Sequence, residues 1–215
     1  MNYHNITYPD MNNGDGLRVV LWLSGCSHHC HNCQNPQTWD INSGIPFNKE
    51  AREELFRELD KDYISGLTLT GGDPLHETNL DGVLDLVIEI NKRYNIPQDI
   101  VSNDSKNHNI LNGNTDKIRL LSPNKSIWLY TGYTWSDIWC NEAALQADYT
   151  LDYCNNVSRN HKKRQNIVSQ CDVMVDGRYI DSQKDITLRW RGSSNQKVIN
   201  CQKSLQQHKI ILYCD

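Results

Sequence analysis

Cys26, Cys30 and Cys33 crowd into eight residues directly after the apolar run Leu17–Leu23. This grouping constrains the fold more than any other feature of the chain. The run must end in a loop that wraps one small object, and in parallel α/β folds ligand sites collect at the C-terminal ends of strands. Gly25, just before the first cysteine, lets the chain turn there without a Cβ clash. Cysteine thiolates hold iron–sulfur clusters, and a four-iron cube held by three of them keeps one iron open. Such an iron can bind a small molecule and pass it an electron. Zinc is the alternative: the three cysteines plus one of His28, His29 or His31 would complete a tetrahedron, although the second ligand pair usual in structural zinc sites is missing.

Around this loop, short apolar runs alternate with helical stripes. Strands are expected at Leu17–Leu23, Gly66–Thr70, Ser126–Thr131 and Cys171–Val175, with Val198–Ile199 and Ile210–Tyr213 as a late hairpin or edge. Ala51, Leu55 and Leu59 recur at helical spacing, as do Leu80, Leu84, Val87 and Ile88. Thr78 precedes Asp81, and Thr134 precedes Asp137, at the spacing of a reciprocal helix cap. Strand–helix–strand order implies parallel pairing through right-handed crossovers. A chain of 215 residues suffices for one α/β domain, so residues 1–215 read as a single domain. Two polar stretches, near 98–124 and 148–170, show no convincing period and read as surface insertions. The basic cluster His161-Lys162-Lys163-Arg164 in the second reads as a solvated face.

Composition narrows the function. Eight cysteines could suggest a secreted disulfide scaffold, but the chain is long for one and five of them (Cys140, Cys154, Cys171, Cys201 and Cys214) stand alone. In a reducing cytosol a tight thiol group is a metal site. Cys214, beside the chain end, is expected to be too mobile to take part. The formal net charge of -4 provides no basic face for nucleic acid or an anionic membrane. There is no apolar run of about eighteen residues to span a membrane, and the polar start Met1–Asn5 lacks the apolar stretch of a signal peptide. A cytoplasmic protein is the expectation.

Further motifs follow the other strands. Thr70-Gly71-Gly72-Asp73-Pro74-Leu75 places two glycines where backbone can approach a ligand closely, although alone it is a common turn. Tyr130-Thr131-Gly132-Tyr133 and Val175-Asp176-Gly177-Arg178 end two more strands, and Arg189 to Gln196 lies beyond. Arg178, Arg189 and Arg191 could grip a carboxylate or phosphate with paired donors. In a parallel sheet the glycine-marked groups after four strands would face one cavity.

Cys26-x-x-x-Cys30-x-x-Cys33 together with Gly71-Gly72-Asp73-Pro74 resembles the radical S-adenosylmethionine enzymes. Asn2-Tyr3-His4, Gly14-x-Gly16, Ser24-Gly25-Cys26, Thr38-Trp39, Gly72-Asp73-Pro74-Leu75-His76, Trp128-x-Tyr130-Thr131-Gly132-Tyr133, Val175-Asp176-Gly177 and Trp190-Arg191-Gly192-Ser193-Ser194-Asn195-Gln196 refine this. Together they resemble the activating proteins of anaerobic (class III) ribonucleoside-triphosphate reductase, over nearly the whole chain as far as Gln196.

The resemblance implies a 4Fe-4S cluster on Cys26, Cys30 and Cys33, with S-adenosylmethionine chelated at its open iron. It implies that Asn32, Cys33 and Gln34 lie beside that cofactor, and that Gly71, Gly72, Asp73 and Thr131 complete its site. The cofactor's cleavage would generate a 5′-deoxyadenosyl radical, which takes a hydrogen from a glycine of the large reductase subunit. No catalytic acid, base or nucleophile is expected, because cluster and cofactor carry the chemistry. A flavodoxin or ferredoxin-type protein would supply the electron. The fold implied is α/β, a single-domain incomplete (partial) TIM-like barrel with mostly parallel strands and outer helices, its gap closed by the partner. Activation of another glycyl-radical enzyme, of the formate-lyase type, and a non-catalytic zinc-binding module are the other readings. Many enzymes of the superfamily carry an aromatic residue before the third cysteine, where this chain has Asn32.

Overall fold

The computed structural model describes residues 1–95, 124–139 and 151–214. Strand β1 (Asn2–Asp10) pairs antiparallel with β2 (Leu17–Leu23), and the short β3 (Ile45–Pro46) borders β1. Helix α1 (Lys49–Leu59) follows, then β4 (Ile64–Gly71), α2 (Leu80–Tyr94) and β5 (Ser126–Tyr130). Helices α3 (Trp135–Trp139) and α4 (Leu151–Ser169) precede β6 (Val173–Asp176). The chain closes with β7 (Lys197–Asn200), α5 (Cys201–Gln207) and β8 (Leu212–Cys214). The sheet order is β3-β1-β2-β4-β5-β6-β7-β8. Strands β2, β4, β5 and β6 run parallel, and both flanks are antiparallel.

Local chemistry explains the helix starts. The Asn48 side chain accepts from the Ala51 N–H to open α1, which buries Ala51, Leu55, Phe56 and Leu59. At α3 the expected reciprocal cap is present: Thr134 N donates to Asp137 Oδ2 at 2.7 Å, and Asp137 N donates to Thr134 Oγ1 at 3.1 Å. Helix α2 starts after Asn79 instead of Thr78. The Asn79 amide donates to the carbonyls of Ser24 (2.8 Å) and Asp73 (3.0 Å), so the helix start is tied to two loops at the strand ends.

The sheet buries both faces. Val19, Leu21, Leu23, Leu67, Leu69, Ile127 and Leu129 pack with the helices, whereas Trp128, Val173, Val175 and Val198 form a smaller cluster on the opposite face. That second face is concave. The rings of Trp128 on β5 and Tyr213 on β8 lie 5.1 Å apart, although a flat sheet would separate strands three places apart by about 14 Å. Tyr213 also donates to Asp15, just before β2, at 2.6 Å. The sheet is therefore strongly curled, with β3 and β8 as its open edges.

Two expectations need correction. The stretch near 148–170 is not an aperiodic insertion: Leu151–Ser169 is helix α4, which packs against α2 and buries Ile167 and Val168. Its basic cluster is not simply solvated either. Lys163 pairs with Asp81 at 2.5 Å, and Arg164 donates to the Leu75 carbonyl and the Tyr133 hydroxyl, each at 3.0 Å. Strand β1 was not expected at all, because only Tyr3 and Ile6 are buried along its polar sequence. The two late strands do pair at an edge, but α5 lies between them, so they are not a tight hairpin. The other polar stretch, near 98–124, lies outside the described residues except for Asn124. Among the described residues, no helix is long and apolar enough to cross a membrane.

Candidate functional site

The cysteine loop leaves the C-terminal end of β2 and is fixed by its own backbone. Gly25 takes a φ of 93°, its N–H donates to the Thr38 carbonyl at 2.8 Å, and Cys26 N donates to the Trp39 carbonyl at 3.1 Å. His29 and Asn32 both take left-handed conformations (φ 47° and 55°), which curls the segment so that Cys33 N reaches the Cys30 carbonyl at 3.1 Å. Asn35 N points at Cys33 Sγ from 3.4 Å. Burial pushes the Cys26 thiol up to about 11 and that of Cys30 upward, and the nearby backbone of His28 and of Tyr179 opposes the rise. Such contacts favour thiolate, the form that binds metal.

Behind the loop lies a saturated carboxylate. Asp73 is 2% exposed. Its Oδ1 accepts from Leu75 N and Thr131 Oγ1, both at 2.8 Å, and its Oδ2 accepts from Gly132 N at 3.1 Å. His28 Nε2 reaches the same Oδ2 at 2.7 Å. On the far side of that ring, Arg178 Nε donates to Nδ1 at 3.1 Å. One imidazole thus joins the loop after β2 to the loops after β4, β5 and β6. Tyr133 packs edge-on against the ring at 4.8 Å and lies under the Arg164 guanidinium at 4.5 Å.

These loops surround a cavity of about 400 Å³ at the C-terminal ends of the parallel strands. Cys26, Cys30, Cys33, Gln34, Gly71, Gly72, Asp73 and Thr131 all line it, as do Arg178 and Arg191. Asn32 does not: its amide donates to Asp181 Oδ2 at 3.0 Å, bracing the cysteine loop against the segment after β6. Arg189 is turned away to pair with Asp15 at 2.6 Å. Tyr130, Tyr179 and Trp190, from the motifs that follow the strands, line it too, whereas Leu188 and the pair Asn12 and Asn13 from the β1–β2 turn were not anticipated. The Trp-Arg-Gly motif marked Trp190; nothing in the sequence marks the two asparagines.

The thiols fit a cluster better than a lone zinc. His28 has both ring nitrogens engaged, His29 packs on Trp39, and His31 is exposed beside Asp181, so the loop offers no free buried imidazole as a fourth ligand. Among the described residues no three His, Cys, Asp or Glu side chains converge tightly enough for a single ion. Of the other cysteines, Cys171 and Cys201 are buried apart from the site, and Cys214 belongs to β8 and packs beside the Trp128 cluster. Cys140 lies outside the described residues.

Comparison with known proteins fits this geometry. A family described as a 4Fe-4S single cluster domain matches residues 12–117 and 103–199. The anaerobic ribonucleoside-triphosphate reductase-activating protein of Escherichia coli (strain K12) is 34% identical over 200 residues, which cover 92% of this chain and 97% of that protein. The chain belongs to the anaerobic ribonucleoside-triphosphate reductase-activating protein family. Family members from Vibrio cholerae (33% identical, 92% of this chain and 97% of the relative) and Enterobacteria phage T4 (32% identical, 92% and 93%) align over the same extent. The cysteine loop and strands β2 to β7 of this family member all lie within the stretch that the 4Fe-4S description matches, apart from the last residue of β7.

Proposed function

We propose that this chain is a radical S-adenosylmethionine activase that installs a glycyl radical on the large subunit of anaerobic ribonucleoside-triphosphate reductase. The observation that carries the proposal is the set of three thiols on the wall of a cavity of about 400 Å³. That volume lies in the range of small-cofactor sites. Bound there, a 4Fe-4S cluster would deliver one electron to the sulfonium of S-adenosylmethionine, breaking its S–C5′ bond so that the adenosyl fragment can take hydrogen from a glycine of the partner.

The chain's own residues bind, orient and shield. Cys26, Cys30 and Cys33 hold the metal. The Gly72 N–H is committed to the Leu23 carbonyl at 2.7 Å, so its own carbonyl is the group that would receive the cofactor's ammonium. Gln34 sits at the cavity mouth beside Cys33, and Arg178 supplies a cation to an anionic ligand. Asp73 and Thr131 act by holding the rim, since their polar atoms are bonded to each other. Asn32 braces the loop. The curled, open sheet is an incomplete barrel whose gap suits a macromolecular substrate. A flavodoxin or ferredoxin-type protein supplies the electron, and the protein works in the cytoplasm.

Anaerobic incubation of the reconstituted protein with the reductase, S-adenosylmethionine and a reductant tests the proposal by electron paramagnetic resonance. A glycyl radical on the reductase is the expected result. A radical formed only on a formate-lyase type enzyme in a parallel incubation would reassign the partner, and colourless protein holding one zinc would end the radical reading.

A further inference from the structure

We propose that His28 is a positioning residue whose two ring nitrogens, not its bulk, fix the cysteine loop and so hold Cys26 and Cys30, two residues away on either side, in place. The proposal rests on reading Cys26, Cys30 and Cys33 as cluster ligands.

A histidine between two cysteines is usually a solvated loop residue or a metal ligand. Here the side chain is 5% exposed, and every polar atom of the ring is spoken for. Arginine can only donate, so the Arg178 Nε contact at 3.1 Å makes His28 Nδ1 an acceptor. The proton therefore sits on Nε2 and is donated to Asp73 at 2.7 Å. The ring is a neutral bridge between a buried carboxylate and a guanidinium.

The surroundings admit this ring and little else. A Cβ built at Gly132 would lie 2.2 Å from His28 Cδ2, so the glycine leaves the space that the imidazole fills. Tyr133 closes the opposite side at 4.8 Å. With its ring held on four sides, the His28 backbone is held too, and with it the segment that carries Cys26 and Cys30. Partners that orient metal ligands affect metal retention strongly, and the surroundings of a cluster set its potential. Asp73 thereby influences the cluster through His28 without touching it.

Three variants separate bonding from packing. His28→Phe keeps a flat ring without nitrogens. His28→Gln keeps one donor for Asp73 and one acceptor for Arg178. Gly132→Ala keeps the imidazole but displaces it. In each anaerobically reconstituted protein, the cluster's midpoint potential and its rate of loss to a chelator are measured. His28→Phe and Gly132→Ala should shift the potential and speed cluster loss by about 10- to 100-fold, and His28→Gln should restore both toward wild type. A Phe variant that matches wild type, or a Gln variant as impaired as Phe, would overturn the inference. Should the Phe variant fail to fold, the Gln variant decides alone: wild-type-like retention supports the role, and failure like that of Phe contradicts it. Wild-type protein that takes up no iron and sulfide would instead overturn the cluster reading, a distinct result from a stable cluster indifferent to position 28.

Discussion

The two ends of the parallel strands each bury a charge, and they treat it in opposite ways. At the N-terminal end, Arg18 is fully buried on β2. Its Nε donates to Thr68 Oγ1, its Nη1 to Asp15 O and Ser126 Oγ, and its Nη2 to Leu67 O and Ser126 O, so all five N–H groups are used. Trp128 lies against the guanidinium at 5.3 Å, and burial lowers the arginine to about 10. Every donor of that guanidinium is spent inside the protein. At the C-terminal end Asp73 is as well satisfied, but its donors are themselves the rim of the cavity, and beyond them stand the three thiols and Arg178. One network plugs the curled sheet. The other is scaffolding for groups that line the cavity.

The contrast can be broken from either side. The largest effect is expected from Cys30→Ala: iron content and cleavage of S-adenosylmethionine should vanish together while circular dichroism stays unchanged. Retained cleavage would contradict the ligand assignment. Next comes Asp73→Ala, which leaves the donors of Leu75, Thr131, Gly132 and His28 without their acceptor; the urea midpoint should fall by the equivalent of about 3 kcal/mol, and the cluster should be lost faster. A loss of stability with unchanged cluster retention would mean that the rim does not depend on this carboxylate. Arg18→Met strips the opposite network and should cost about 2 kcal/mol, yet leave the cluster's resonance spectrum as in wild type once the protein is folded and reconstituted. A changed spectrum would show that the two ends are coupled.

The smallest effect concerns pH. Hydrogen bonding to Asp15, followed by burial, raises the Tyr213 phenol from 10.0 to about 12. A group whose folded value is raised contributes stability that is full below the unfolded value and is lost as pH climbs through the folded one. The unfolding midpoint should therefore fall between about pH 10 and 12, and less steeply in Tyr213→Phe; identical slopes would remove this contact from the N-terminal plug.

Local signals were legible in the sequence, and long-range ones were not. Strand β2 matches its apolar run residue for residue, and the Thr134 cap forms with the partner its spacing suggests. Strand β1 and helix α4 escaped because few apolar residues mark them: only Tyr3 and Ile6 are buried apolar residues on one, and among the described side chains only Ile167 and Val168 on the other. Around the cavity, Gln34, Gly71 and Gly72 follow strand ends and so could be anticipated from local order. The role of Asp73 could not, because its partners His28, Thr131 and Gly132 lie 45, 58 and 59 residues away and meet only through the sheet. Asn32 stands apart from the cavity wall for a related reason. Its left-handed backbone swings the amide toward Asp181, a residue no local pattern connects to it.

Whether the loop of Cys26, Cys30 and Cys33 leaves one metal position to which S-adenosylmethionine binds decides the proposed function. The most direct test is the resonance spectrum of the anaerobically reduced, reconstituted protein before and after S-adenosylmethionine is added, with the products assayed in the same sample. A shifted cluster signal accompanied by methionine and 5′-deoxyadenosine is the expected result. An unaltered signal with intact S-adenosylmethionine would contradict the proposed function.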